Sequence, residues 1–307
     1  MKPTMQDNFN LLEERVLDSL DKTDLGRIKY ELEKIKDPTI TTGVGGSSVV
    51  STYAAKVLET KNNIITTHQE PRDLPYKNLK GFTNVLACSY SGNNFGVETA
   101  FNNDLKKYLL SVNTSPDEAV TTLKYDTSLP KEDSFVSLAA TLIPMSILLS
   151  YYNDLDISVI KDILKTAQDY SISPNQVFEI LSGEDTSTAA TYLESTLTEA
   201  SLAIPLVHDK YSYCHGRSTT TYHHNNSLIH LSPTTELDQV IAVSSYPYYQ
   251  EVIELPPKYS DPVINDFYLT YQAMLLTKAL AEQEGKDLSR VEYSPAVKQL
   301  YKFSGKL

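Results

Sequence analysis

The sequence predicts an α/β protein made of two similar halves, each with a largely parallel sheet. Three observations indicate this fold class. Short β-branched or apolar runs alternate along the chain with longer segments of helical apolar spacing. A strand–turn–helix order over 39–60 recurs over 177–201. Strands joined by helices need crossover connections, which favour parallel pairing. We therefore predict an N-terminal domain at 1–153 and a C-terminal domain at 154–307.

The first half begins with leading helices and continues as alternating strands and helices. Apolar residues in 8–36 recur at near-helical spacing until Pro38 ends the pattern. Residues 39–42 are short, β-branched and followed by glycines, as expected of a strand that enters a turn. The other predicted elements are strands at 63–67, 84–89 and 108–112 and helices at 49–60 and 97–107.

The second half repeats this alternation. A strand at 177–181 leads through the turn Ser182-Gly183-Glu184-Asp185 into a helix at 186–201. A long helix at 261–284 closes the domain and is followed by a C-terminal tail. Further short strands are predicted at 227–231, 239–244 and 249–255.

The composition limits the classes of function. With 307 residues, 41% of them hydrophobic, the chain can bury a substantial core. The formal net charge of −12 argues against a general affinity for nucleic acid or for an anionic membrane. Two cysteines, Cys88 and Cys214, do not make a disulfide framework, which fits a reducing compartment.

No targeting or membrane segment is expected. Acidic residues near the N-terminus come before any apolar run, unlike the order in a signal peptide. Residues 134–152 carry no charge and are long enough to mimic a membrane span, but Pro144 and several serines interrupt them. We interpret them as a helix buried inside an α/β domain, and we expect a cytoplasmic protein.

Two loops carry the residues of a candidate anion site. Gly43-Val44-Gly45-Gly46-Ser47-Ser48 lies between a predicted strand and a helix, and so does Ser89-Tyr90-Ser91-Gly92-Asn93-Asn94. Glycines allow tight turns with accessible N–H groups, and a helix N-terminus favours an anion. Both loops follow carboxyl ends of strands, where ligands bind in parallel sheets.

The chemistry of these loops suits a sugar phosphate. Neither loop contains a lysine or arginine, so a triphosphate with its magnesium ion is a poorer fit than a single phosphate held by hydroxyls and amides. The donors would come from Ser47, Ser48, Ser89, Ser91 and Asn94. For the first loop alone, a serine-capped turn without a ligand is an equal alternative.

Taken together, the two loops resemble the signature of sugar isomerase (SIS) domains. Gly-Val-Gly-Gly-Ser at 43–47 and Ser-Tyr-Ser-Gly-Asn-Asn at 89–94 are similar to loops in the isomerase part of glucosamine-6-phosphate synthase and in fructosamine-6-phosphate deglycases. Gly46 and Asn94 stand where the family has threonines. The resemblance implies two tandem SIS domains, each a flavodoxin-like α/β/α sandwich, in a homodimer.

The resemblance also implies catalytic residues in the second half. Cys214-His215-Gly216-Arg217 resembles the family's Lys-His-Gly-Pro turn, whose histidine assists opening of the sugar ring. Glu199 stands 16 residues before His215, which is the spacing of the family's glutamate that moves a proton between C1 and C2. Enolisation needs a carboxylate that titrates near neutrality, and ring opening needs a group with a pKa near 7, so the residue types fit.

Further residues are assigned by weaker similarity. Glu132-Asp133-Ser134-Phe135-Val136-Ser137 resembles the family segment Glu-x-x-Val-Ala-Ser-Thr, which implies that Ser137 touches the sugar. Lys298 corresponds to the family's lysine in the C-terminal tail, at a different distance from the preceding proline. Arg217, where the family has proline, would meet a carboxylate of the substrate or of the protein. Gly46 and Tyr90 lie in the two loops and are predicted to contact the substrate.

The histidines offer an alternative chemistry. Five of the six lie between His208 and His230, and a zinc site is one interpretation of that cluster. Their spacing matches no compact ligand motif, so we predict neither a metal nor a cofactor.

We therefore predict an enzyme that acts on a hexose 6-phosphate or an amino-sugar 6-phosphate by ring opening and C1/C2 proton transfer. The alternatives are a fructosamine-6-phosphate deglycase or amino-sugar-phosphate deaminase, and a non-catalytic sugar-phosphate sensor. Nucleotide binding is a weaker possibility. The expected partners are a phosphorylated sugar and a second copy of the chain, with no nucleic acid and no membrane.

Overall fold

The computed structural model describes residues 2–127, 129, 132–221, 225–292 and 295. These residues form two compact units. The first unit contains the described residues up to Ile157 and those from Ser289 onward, and the second is Ser158–Leu288. Each unit has its own parallel sheet flanked by helices, which confirms the predicted α/β fold class.

A five-stranded sheet organises the first unit. Its strands are β1 (Thr39–Thr42), β2 (Thr66–Gln69), β3 (Asn84–Cys88), β4 (Lys106–Ser111) and β5 (Val120–Lys124). The spatial order is β2-β1-β3-β4-β5, with every pair parallel. Ile40 of β1 pairs with Thr67 on one side and with Val85 on the other. This is a doubly wound order: β2 is added on one side of β1, and β3, β4 and β5 are added on the other side. The order of the strands therefore reverses between β1 and β3.

The helices of the first unit cover both faces of this sheet. They are α1 (Met5–Asn10), α2 (Leu12–Lys22), α3 (Leu25–Leu32), α4 (Gly46–Asn62), α5 (Phe95–Ala100) and α6 (Ala139–Tyr152), and a 3₁₀ turn spans Pro71–Tyr76.

Helix α6 lies in the interior of the first unit. Almost all of its residues are buried, and it packs against α2 and α4. Its serines satisfy their hydroxyls locally, since Ser146 donates to the carbonyl of Leu142 and Ser150 to that of Ile147. The uncharged segment is therefore a buried helix, as predicted. Among the described residues, no helix is both long and apolar enough to cross a membrane.

A four-stranded parallel sheet organises the second unit. Its strands are β6 (Val177–Ser182), β7 (Ile204–Asp209), β8 (Ser227–Leu231) and β9 (Glu251–Leu255), in the order β7-β6-β8-β9. Helix α11 packs against α8 to cover one face. The helices are α7 (Ser158–Leu164), α8 (Ser187–Glu199), α9 (Lys210–Cys214), α10 (Glu236–Ser245) and α11 (Pro262–Gln283), with 3₁₀ turns at Glu184–Thr186, Arg217–Thr220 and Tyr246–Tyr248.

Some element predictions are wrong. The β-branched run at 239–244 lies in α10, because Thr235 and Asp238 form a capping box that starts a helix. The helix predicted at 97–107 ends at Ala100, and Lys106 already belongs to β4. The edge strands β5 and β7 were not predicted from the sequence. Strand β7 contains Pro205, which an edge strand tolerates because one side of its backbone needs no partner.

Candidate functional site

The candidate site of the first unit lies where its strand order reverses. Strands β1 and β3 are neighbours, and their connections to helices leave in opposite directions along the sheet. In open parallel sheets this geometry opens a crevice at the carboxyl ends of the strands, and ligands bind there. Residues 43–48 follow β1 and residues 89–94 follow β3. The topology therefore brings the two predicted loops to the same edge of the sheet.

The loop after β1 turns tightly into α4. A Cβ at Gly43 would lie 2.2 Å from the carbonyl oxygen of Ser47, so only glycine fits this turn. Helix α4 starts at Gly46 without a side-chain cap. Among the described residues the Ser47 hydroxyl has no hydrogen-bond partner. A 17-residue helix thus presents an uncapped N-terminus with a free hydroxyl beside it.

The loop after β3 is held by Ser89 and Asn94. The Ser89 oxygen accepts hydrogen bonds from the Gly92 backbone N–H and from Asn94 Nδ2, both at 3.1 Å. Because these bonds use only the oxygen lone pairs, the Ser89 proton remains available for a ligand. Asn94 Oδ1 caps α5 by accepting from the Val97 N–H at 3.0 Å. Ser91 is half-buried, and its side chain makes no hydrogen bond with the described part of the chain.

The two loops border one small cavity. Its lining includes Gly43 and Val44 from the first loop, Asn94 from the second loop and Gly96 from the first turn of α5. A Cβ at Gly96 would lie 2.8 Å from Val44 Cγ2, which shows how closely α5 packs against the first loop. Gly96 therefore serves packing between α5 and the first loop.

A third segment meets the first loop at the start of α6. A Cβ at Gly46 would lie 2.8 Å from Ser137 Cβ and from Thr141 Oγ1, so the absence of a side chain at Gly46 lets α4 approach α6. Ser137 accepts a hydrogen bond from Thr141 at 2.9 Å. The structure thus brings Ser137 next to the first loop, where the resemblance had placed a sugar contact. Glu132 occupies the N-terminus of α6 instead, since its carboxylate accepts from the Leu138 and Ala140 N–H groups at 3.0 Å.

Tyr90 lines a second small cavity, with Arg15 and Glu132. Arg15 is only 6% exposed and donates to Asn8 at 3.0 Å, while its Nε has no partner among the described residues. Burial raises the pKa of Tyr90 and of Glu132, and the nearby Arg15 opposes both shifts. Arg15 was not predicted from the sequence, although it lies on the buried face of α2 together with Leu12, Val16 and Leu20.

His68, at the end of β2, is a further missed residue. Its Nε2 lies 3.1 Å from Ser48 Oγ, and its Nδ1 lies 2.9 Å from Ser51 Oγ. Burial lowers its pKa, and the charge of Glu70 opposes the shift. No sequence motif pairs a histidine in β2 with a serine in the loop after β1. The only available signal was that His68 directly follows the strand predicted at 63–67.

Glu199 is the last residue of α8 in the second unit. It is half-buried, and its Oε1 accepts a hydrogen bond from Ser195 at 3.1 Å. Burial raises the pKa of its carboxyl group, and the Ser195 bond opposes the shift. A carboxylate in this environment titrates closer to neutrality than an exposed one, which is the property that a general base needs.

His215 is exposed and follows α9 directly. Arg217 is also exposed and starts the next 3₁₀ turn, after Gly216 at a φ of +111°. Glu199 ends a helix that runs back towards the start of β7, whereas α9 begins where β7 ends. Within the described residues, no hydrogen bond or ion pair joins Glu199 and His215. Lys298, also predicted to be catalytic, lies outside the described residues.

The histidines of the second unit belong to separate networks. His230 Nε2 lies 2.8 Å from the buried Asp238, and its Nδ1 lies 2.7 Å from the Tyr246 hydroxyl. His208 lies 3.6 Å from the buried Glu179. His223 and His224 are outside the part of the chain that the structure describes. Within that part, no three His, Cys, Asp or Glu side chains come close enough to hold a metal ion.

The fold has clear relatives among solved structures. The tagatose-6-phosphate ketose/aldose isomerase of Escherichia coli superposes with a TM-score of 0.73 at 12% identity, over 94% of this chain and 96% of that one. The C-terminal domain of the glucosamine-fructose-6-phosphate aminotransferase of Francisella tularensis gives 0.67 at 13%, over 94% and 98%. The glucosamine-6-phosphate deaminase of Thermotoga maritima gives 0.67 at 13%, over 91% and 98%.

These identities establish a shared fold. The chain has an α/β fold like that of SIS domains, in agreement with the resemblance seen in its loops. No family model and no curated protein sequence matches the chain. The tandem arrangement of two SIS domains stays a prediction.

Proposed function

We propose that this chain is a phosphosugar isomerase that holds the phosphate of a hexose 6-phosphate or amino-sugar 6-phosphate between the loops after β1 and β3. One observation carries the proposal: the uncapped N-terminus of α4 faces the reversal point of the sheet, with the Ser47 hydroxyl and the Ser89 proton free beside it. These groups are hydrogen-bond donors suited to a phosphate. The solved structures of this fold that carry phosphosugar names support the same substrate class.

The proposed reaction is a proton transfer between C1 and C2. With the sugar ring open, a base removes the C2 proton of an aldose to give an enediolate. A proton passes from O2 to O1, and the base returns its proton to C1 to give the ketose. We assign the base to Glu199, because burial raises the pKa of its carboxyl group. We assign ring opening to His215, and sugar contacts to Ser137, Tyr90, Gly46 and Arg217. Lys298 remains a candidate on the resemblance alone.

We further infer that the active protein is a homodimer. No hydrogen bond or ion pair joins Glu199 and His215 within the described part of one chain, and His215 is exposed. Two copies of the chain would allow one site to take these groups from different subunits. Size-exclusion chromatography with light scattering tests this inference directly.

A first experiment tests phosphate binding. Thermal unfolding is measured with glucose 6-phosphate, fructose 6-phosphate, glucosamine 6-phosphate and the unphosphorylated sugars. A ligand at 100 times its Kd stabilises the folded state by about 2.7 kcal/mol. We expect stabilisation by phosphorylated sugars only, and its loss in Ser47→Ala. Ser173→Ala, at an exposed serine of the second unit, is the matched control. Equal stabilisation in both variants would contradict the assigned loop.

A second experiment tests the reaction. The protein is incubated with each sugar phosphate in deuterated water, and deuterium at C1 or C2 is followed by NMR. Exchange is expected in the parent protein and not in Glu199→Gln. Free amine among the products would instead indicate a deglycase or deaminase.

A phosphosugar sensor is the second candidate function. The exposure of His215 and the absence, within the described residues, of a hydrogen bond or ion pair between it and Glu199 favour it, because a sensor needs the phosphate loops and no assembled base. Saturable binding without deuterium exchange, at protein concentrations where the homodimer forms, would support the sensor over the enzyme.

A further inference from the structure

Helix α4 and strand β2 place a histidine directly behind the candidate phosphate loop. His68 Nε2 contacts Ser48 Oγ at 3.1 Å, and His68 Nδ1 contacts Ser51 Oγ at 2.9 Å. Ser51 Oγ also lies 2.9 Å from the Ser48 carbonyl oxygen. The imidazole is thus clamped at both nitrogens by hydroxyls from the first turns of α4.

The hydrogen-bond donors fix the tautomer of the neutral imidazole. The Ser48 carbonyl can only accept, so the Ser51 hydroxyl spends its single proton on it. Ser51 Oγ must then accept from His68 Nδ1, which therefore carries the ring proton. His68 Nε2 is left as an acceptor and takes the proton of Ser48. This is the arrangement in which all three contacts are hydrogen bonds at once.

The neutral arrangement is unfavourable for an anion. With its proton directed at His68, the Ser48 hydroxyl shows only lone pairs to the loop side, and these repel phosphate oxygens. Protonation of His68 reverses the bond, since Nε2–H then donates to Ser48 Oγ and the Ser48 proton is released towards the loop. The imidazolium also supplies a positive charge to loops that contain no lysine or arginine.

We propose that the Ser48–His68 pair couples phosphate binding to the uptake of one proton, so that His68 is the cation of this site in its bound state. The proposal rests on the proposed function, because it assumes that the phosphate lies at the first loop. It assigns His68 the role of a positioning residue, which acts on the ligand through the Ser48 hydroxyl and through its charge.

The surroundings of His68 are compatible with this role. Burial lowers the pKa of the free imidazole, so the unliganded site is largely neutral at pH 7. Among the described residues, the charged group that acts on His68 is Glu70, which is itself paired with Arg72 at 2.6 Å. The groups facing His68 from β1 and α4 are hydroxyl-bearing: Thr41 is its register partner, and the serines of α4 bind its nitrogens. A bound dianion would be the strongest charge near the ring.

The test measures protons taken up on binding. Glucose 6-phosphate binding is followed by isothermal titration calorimetry at pH 7.5 in buffers of different ionisation enthalpy, which gives the number of protons taken up per site. Because the ligand phosphate also titrates, glucose 6-sulfate serves as a probe of fixed charge. We expect net uptake approaching one proton with both ligands. Their affinities should rise as the pH falls from 8 to 6, by up to about tenfold per pH unit.

The matched variant is His68→Gln. Its amide nitrogen can still donate to Ser48 Oγ but does not titrate, so binding should persist while proton uptake with glucose 6-sulfate and the pH dependence of its affinity disappear. Glu70→Gln is a second variant that leaves the imidazole in place. Since Glu70 favours the protonated ring, its removal should move the pH dependence to lower pH.

The outcomes separate this inference from the proposed function. Saturable binding of glucose 6-sulfate without proton uptake in the parent protein would overturn the role of His68 and leave the phosphate site intact. Uptake that persists unchanged in His68→Gln would do the same. If neither ligand binds the parent protein, the phosphate site itself is wrong. Should His68→Gln fail to fold, the parent protein with glucose 6-sulfate still decides the question.

Discussion

Replacing Gly92 by alanine should destabilise the second loop for two reasons: the backbone conformation disfavours a side chain, and the new Cβ would clash with Ser111. Gly92 has a φ of +71°, and a Cβ there would lie 2.7 Å from Ser111 Oγ and 3.2 Å from Leu109 Cδ2. Alanine in a left-handed conformation costs about 1–2 kcal/mol. Overpacking of a filled site adds about 1–3 kcal/mol, so Gly92→Ala should lower the free energy of unfolding by roughly 2–5 kcal/mol.

Gly81→Ala provides the matched control. Gly81 lies in the same unit at a φ of +100°, and a Cβ there would meet nothing within 4 Å. Gly81→Ala should lower the free energy of unfolding only by the cost of the left-handed backbone conformation. The additional loss in Gly92→Ala then measures the contact of the new Cβ with Ser111. Urea unfolding followed by circular dichroism gives both values, and Gly92→Ala should also weaken glucose 6-phosphate binding.

A double variant makes this prediction sharper. Ser111→Ala removes the Oγ atom that the new Cβ would meet, so Gly92→Ala combined with Ser111→Ala should cost less than the sum of the two single changes. The contact is refuted if Gly92→Ala destabilises no more than Gly81→Ala, or if the two changes are additive.

Further predictions concern both units. Burial raises the pKa of the Cys88 thiol while Cys214 is exposed, so a thiol reagent should label Cys214 in the folded protein and Cys88 only after denaturation. If Glu199 is the base, Glu199→Gln should lower kcat at least about 100-fold with sugar-phosphate affinity unchanged. Because burial raises the pKa of Glu199, kcat/KM of the parent should fall with decreasing pH already above pH 4.5. Lys210→Met leaves the buried Asp238 without its cation, so it should lower the free energy of unfolding in urea by about 3 kcal/mol. Lys34→Met removes an exposed ion pair with Glu31 and should change this free energy little.

The fold was largely predictable because its signals are local. Each central strand is a short apolar or β-branched run before a turn, and α4, α8 and α11 carry enough helical residues to be recognised. The edge strand β7 escaped detection because it lacks a second neighbour and contains a proline. The helix α10 was mistaken for a strand because apolar β-branched residues outweighed its capping box.

The candidate site was predictable only in part, because hydrogen-bond partners depend on tertiary contacts. The sequence placed Ser47 and Ser89 in loops that the sheet order brings to one edge. It could not show that Asn94 is engaged as a helix cap. Nor could it show that His68, 20 residues beyond Ser48, returns to bind that serine, since this pairing depends on the parallel register of β1 and β2.

The strand order of the second unit reverses between β6 and β8, as that of the first unit does between β1 and β3. In the second unit, however, carboxylates of the protein occupy the loops that follow these strands. The N–H groups of Thr188 and Ala189, at the start of α8, donate to the buried Asp266 carboxylate. After β8, the N–H groups of Thr234 and Thr235 donate to Asp238. Internal carboxylates thus occupy the amides that a phosphate would need. The α4 helix of the first unit has no side-chain cap, so the one fold supplies an anion site in one unit and fills the equivalent position in the other. We therefore expect one phosphosugar per chain.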